Sequence, residues 1–119
     1  PILWAGPVKN WINACDRIIS MEVDFVVPGH GPVTDNRGVK AVRDYLVYID
    51  TESRKRFDSG MSALETSKEI DLDLFSTWGD AERIAVNVNS LYREYKGEEK
   101  REEITLLFQQ MAELSGIDE

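Results

Sequence analysis

One histidine in 119 residues, His30, sits at the centre of Pro28-Gly29-His30-Gly31-Pro32, a turn symmetrical in residue type. Glycine on both sides lifts the Cβ constraint and lets the backbone hold the imidazole clear of its neighbours. The prolines restrict φ at the ends and bias the residues that precede them. Imidazole is a common zinc ligand, and a zinc site normally needs three or four protein donors. Around His30 the sequence offers one further oxygen donor, Asp35, which serves equally as a helix cap, the reading favoured here. On local sequence alone, a metal ligand and an ordinary turn histidine stay open as readings of His30.

Other chemistries find little support. No serine lies in a G-x-S-x-G elbow, no G-x-x-x-x-G-K-[ST] phosphate loop occurs, and Gly29-His30-Gly31 is no dinucleotide fingerprint. Carboxylate pairs such as Asp71 with Asp73, or Glu98 with Glu99, are expected by chance among 22 acidic residues and read as solvated surface. The single cysteine, Cys15, excludes an internal disulfide and falls in phase with the apolar side of a helix, as a small buried hydrophobe would. A reducing cytoplasm is compatible with that usage.

The elements that must position His30 follow from periodicity. Val8, Trp11, Ile12, Cys15, Ile18 and Ile19 recur at three and four, predicting a helix to about Ser20 that opens at Gly6-Pro7. Phe25-Val26-Val27 reads as a strand buried on both faces, ending in the histidine turn. A second helix is capped among Val33-Thr34-Asp35-Asn36 and runs through Val39, Val42, Tyr45, Leu46 and Ile49 to the middle fifties, where Ser59-Gly60 breaks it. Ser62 and Glu65 have capping-box spacing for a short helix to Glu69. Residues 71–80 form a loop with anchors Leu74, Phe75 and Trp78, and Asp80 caps a helix striped by Ile84, Val88, Leu91, Tyr92 and Tyr95 and closed by Gly97. A last helix opens acidic at Glu98-Glu99 and carries Ile104, Leu107, Phe108, Met111 and Leu114.

Apolar residues make up 42% of the chain, enough for a modest core, and the net charge is −8. So acidic a balance disfavours nucleic-acid and anionic-membrane partners. No apolar run approaches the roughly 18 to 20 residues that span a bilayer. The chain opens mid-phrase on Pro1-Ile2-Leu3-Trp4 without methionine or signal-peptide pattern, as a piece of something longer would. A lone strand leaves its ladder groups unpaired, so its partners are expected from upstream sequence or another molecule.

Trp4-Ala5-Gly6-Pro7-Val8-x-x-Trp11-Ile12 and Asp24-Phe25-Val26-Val27-Pro28-Gly29-His30-Gly31-Pro32-Val33 resemble the C-terminal part of metallo-β-lactamase-superfamily hydrolases with a helical extension. Trp78-x-x-x-Glu82-Arg83-x-x-x-Asn87-Val88-x-x-x-Tyr92-Arg93-Glu94 is similar to the ending of that branch. The resemblance implies an α+β chain: about five helices and one strand at residues 25–27, the C-terminal segment of an αββα sandwich. Residues 1–97 would belong to the metallo-β-lactamase-like domain and 98–119 to a terminal helix or tail. His30 would be the last histidine ligand of a two-metal site, zinc by default with iron or manganese as alternatives. Gly29 and Gly31 would shape the loop, without metal contacts. The family's H-x-H-x-D-H motif, its further histidine and its bridging aspartate do not occur here. The implied protein is therefore a metal-dependent hydrolase acting on a small molecule when the upstream part of the same fold is present. This chain alone would catalyse nothing and bind no metal firmly. The competing expectation is a helical binding or oligomerisation module, in which the stripes at residues 81–95 and 104–114 meet a partner or a second copy.

Overall fold

The computed structural model describes residue 3, residues 7–28, 32–71, 75, 81–97 and 104–115. Five α-helices carry the fold among them: α1 (Val8–Ser20), α2 (Asn36–Asp58), α3 (Ala63–Glu69), α4 (Ile84–Lys96) and α5 (Ile104–Ser115). A 3-10 turn, Ala81–Arg83, leads into α4. The caps sit where local chemistry requires them. Asp35 accepts from the Arg37 amide at the start of α2, and Ser62 accepts from the Glu65 amide at the start of α3. Gly60 and Gly97 take positive φ (89° and 74°) after α2 and α4, conformations that glycine reaches without strain. Glu22 adopts the same left-handed region (φ 52°) just beyond α1, at a position where glycine would be at ease.

The expected α+β class, with a strand at residues 25–27, is overturned. No strand forms among the described residues. Val26 makes one isolated antiparallel bridge to Thr34, with N–H···O distances of 2.7 and 2.9 Å. Phe25 and Val27, expected to be buried on both faces, are each 78% exposed. The physical reason lies in pairing. A ladder needs neighbouring chains on its edges and layers on its faces, and within the described residues only Val26 finds a partner.

The core sits around α4, which is enclosed on all sides. Every residue from 84 to 92 is buried. Ile84, Val88, Leu91 and Tyr92 join Leu3, Val8, Tyr45, Leu46, Ile49, Ile70 and Phe75 in the main cluster. Ala85 and Val86, on the opposite side, pack with Leu107 and Met111 of α5. The sequence predicts a one-sided stripe for α4, whereas residues 84–92 are buried on every side, polar Asn87, Asn89 and Ser90 included. Leu74, Trp78, Asp80 and Glu98-Glu99 lie outside the described residues.

Side-chain bonds set the helix registry. Tyr92 donates its hydroxyl to the Met61 carbonyl at 2.9 Å, which leaves Thr66 to donate to the Tyr92 oxygen at 2.5 Å. Arg56 spans from α2 to Glu69 of α3 at 3.1 Å. Arg43 and Asp16 pair between α2 and α1, and Asn36 donates to the Ile19 carbonyl at 3.2 Å, so α1 is tied to α2 along its second half.

Candidate functional site

His30, with Gly29 and Gly31, lies outside the described residues, but both feet of its loop are described. The Val26–Thr34 bridge closes the loop at its base. One residue on, Asp35 caps α2, and the Arg37 guanidinium closes on the same carboxylate, with contacts of 3.2 Å from Nε and 2.9 Å from Nη2. The Arg37 hydrogen bonds hold the Asp35 carboxyl below its ordinary range. Of the two roles open to Asp35 in the sequence, the described geometry is that of a cap. Gly38 keeps the foot tight: a Cβ there would stand 2.3 Å from Thr34 Oγ1 and 2.5 Å from Thr34 Cγ2.

The outer edge of this foot is open. Val26 spends both backbone groups on Thr34, so strand geometry turns those of Phe25 and Val27 the other way. Neither makes a backbone hydrogen bond among the described residues. Their side chains share one face, since strand residues alternate. Val33 beside them is also exposed.

Cys15 is half-buried on α1. Burial and the neighbouring Asp16 push its thiol up, with Arg43 opposing, which keeps it protonated and unreactive near neutrality.

A second constellation was not anticipated from sequence. Asn87, Ser90 and Glu94 lie at spacings of three and four on α4, hence on one face. Asn87 Oδ1 accepts the Leu3 amide at 2.6 Å, and the Ser90 hydroxyl donates to the Leu3 carbonyl. Glu94 Oε2 accepts the Val8 amide at 3.0 Å, placing a carboxylate at the N-terminus of α1. Asn87 also donates to the Tyr45 hydroxyl at 2.7 Å. Burial pushes the Tyr45 phenol up to about 12, and the Asn87 hydrogen bond only partly offsets this. The signal was present: Asn87, Asn89 and Ser90 interrupt an otherwise apolar nine-residue run, and buried polar groups need partners. The partner's identity, 84 residues away, was not readable.

An open cleft of about 760 Å³ lies between the start of α1, the second half of α2 and the end of α4. Its polar groups are largely committed to one another. Arg54 pairs with Asp58 at 3.3 Å and stacks 4.9 Å from the Tyr95 ring centre. Tyr95 donates to Asp50 Oδ1 at 2.5 Å, and burial with that carboxylate raises its phenol well above the ordinary range.

Among the described residues no group of three or more His, Cys, Asp or Glu side chains is placed to hold a metal ion. No helix among them is long and apolar enough to cross a membrane. Comparison with family models, curated proteins and solved structures finds no match to this chain.

Proposed function

We propose that this chain is the C-terminal part of a metal-dependent hydrolase of the metallo-β-lactamase superfamily and that it contributes one ligand, His30, to a two-metal site. Two such ions make hydroxide available near neutral pH and clamp the attacking and leaving oxygens of a small-molecule substrate. The ions are zinc, with iron or manganese as alternatives, and the remaining ligands come from the upstream part of the protein. The setting is cytoplasmic, consistent with a lone protonated thiol at Cys15.

The observation that carries the reading is the open edge at Phe25 and Val27. Two apolar side chains stand 78% exposed beside unpaired backbone groups, directly before the histidine loop. Exposed apolar side chains on an unpaired edge mark a surface built to be covered. The chain's own part is to hold the loop. The Val26–Thr34 bridge ties its ends together, and Asp35 anchors the far end to a 23-residue helix. The competing assembly reading loses one of its two faces, because α4 is enclosed by its own core.

The test compares metal content and hydrolysis in the protein encoded when the reading frame is extended upstream of Pro1, with and without His30→Ala. The reading requires an upstream H-x-H-x-D-H segment. It also requires metal content to fall from about two ions to about one in the variant, with loss of hydrolysis. Absence of the segment, or a variant with unchanged metal and activity, overturns it. Calorimetric zinc titration of the 119-residue chain adds a second check: firm binding lost in His30→Ala would place the whole site within this chain.

A further inference from the structure

The open cleft between α1, α2 and α4 has walls tied to one another. Glu94 of α4 accepts the Val8 amide of α1 at 3.0 Å, and Tyr95 of α4 donates to the Asp50 carboxylate of α2 at 2.5 Å. At about 760 Å³ the cleft falls within the size range of small-ligand sites. Val8, Ile12 and Tyr95 give it apolar lining. Its charged lining is balanced, with Lys9, Arg54 and Lys55 set against Asp50, Asp58 and Glu94, so the acidic excess of the chain is cancelled locally. The two sets differ in how they are spent. Each carboxylate already faces a donor: Asp50 the Tyr95 hydroxyl, Glu94 the Val8 amide and Asp58 the Arg54 Nε. Lys55 is paired with Glu52 at 2.7 Å. Arg54 spends only its Nε, at 3.3 Å, so both Nη groups lack an acceptor among the described residues, as does Lys9 Nζ.

The Arg54 guanidinium also lies over two aromatic rings, 4.9 Å from the Tyr95 centre and 5.8 Å from that of Phe57. Such stacking sets the plane of the guanidinium before any ligand arrives, and its paired N–H groups match the two oxygens of a carboxylate. A singly charged ligand suits the place better than a dianion, because Asp58 stands beside the same guanidinium. We propose that this cleft binds a small apolar carboxylic acid as its anion. The Arg54 Nη groups take the carboxylate, Lys9 of α1 supplies the second positive charge, and the apolar body lies against Ile12 and Tyr95. The proposal involves neither His30 nor a metal, so it stands or falls apart from the hydrolase reading.

The probe is hydrocinnamate, a carboxylate with a phenyl tail, titrated into the 119-residue chain and followed by amide chemical shifts. Its neutral primary amide and inorganic phosphate are titrated alongside. The carboxylate gives saturable shifts at residues of α1, α2 and α4 around the cleft. The neutral amide binds at least about tenfold more weakly, the loss expected when a charge-assisted pair is removed. Phosphate, which has no apolar body to bury, binds more weakly by at least about tenfold as well. Arg54→Gln weakens hydrocinnamate binding by about tenfold. Lys9→Gln weakens it by about threefold, the scale of one solvent-screened charge at close range. Lys9 is exposed and in no ion pair, so its variant keeps the fold and decides the matter even where Arg54→Gln disturbs it. Several results overturn the proposal: no saturable shift, shifts remote from the cleft, an amide or phosphate that binds as tightly as the carboxylate, or folded variants that bind like the parent.

Discussion

Replacing Asn87 with alanine tests the buried network most directly. Asn87 is fully buried, accepts the Leu3 amide at 2.6 Å and donates to the Tyr45 hydroxyl at 2.7 Å. Alanine supplies neither group, and no water reaches a position with zero exposure without opening the core. Orphaning a buried amide costs about 1–3 kcal/mol, and losing a neutral hydrogen bond costs about 1 kcal/mol. The expected loss is about 3 kcal/mol, or about 10 °C in Tm for a chain of this size. Denaturant melts followed by far-ultraviolet circular dichroism measure it, with the slope required to stay constant so that the midpoint shift is a stability change. Tyr45→Phe should cost about 1–2 kcal/mol. Because the two residues share a bond, the double variant should lose less than the sum, by about 1 kcal/mol. A loss below about 1 kcal/mol for Asn87→Ala, or strict additivity with Tyr45→Phe, would refute the account of α4 as a backbone-reading helix.

Three further outcomes follow from other parts of the structure. Gly38→Ala, ordinarily favourable inside a helix, should destabilise by about 1–3 kcal/mol through overpacking against Thr34, and Thr34→Ala should recover most of the loss in thermal melts. Glu22→Gly should stabilise by about 0.5–1 kcal/mol by relieving the left-handed φ of 52°, with an unchanged or lowered melting midpoint counting against it. Tyr45 keeps its proton to about 12 in the folded chain but only to 10.0 when unfolded, so the unfolded state releases protons first as pH rises. Its contribution, about 2–3 kcal/mol, is fully present below pH 10 and is lost as pH climbs through 12. Denaturation midpoints between pH 9 and 12 should fall more gently in Tyr45→Phe. Tyr95, also raised, leaves a residual slope.

The helices were legible because what starts and stops them is local. Asp35, Ser62 and Gly97 cap through bonds or backbone angles within a few residues of themselves, and each acts where its type suggested. The site was legible only as a motif. Pro28-Gly29-His30-Gly31-Pro32 announces an exposed imidazole, whereas the bridge that closes its base depends on Thr34 meeting Val26. Phe25-Val26-Val27 misled for a related reason. An apolar β-branched run states a preference for pleated surroundings, and whether a ladder forms depends on strands elsewhere.

By itself, then, the sequence determined the helix ends at Asp35, Ser62 and Gly97, the lone imidazole between two glycines and the acidic composition, all consequences of short-range sterics, capping and composition. Tertiary structure alone decided that, among the described residues, only Val26 of residues 25–27 is paired and that residues 84–92 of α4 are all buried. It also decided that Asn87, Ser90 and Glu94 spend their polar atoms on backbone more than 80 residues away. Those outcomes rest on which distant groups come within hydrogen-bonding reach once the core closes, and burial makes each unpaired group too costly to leave.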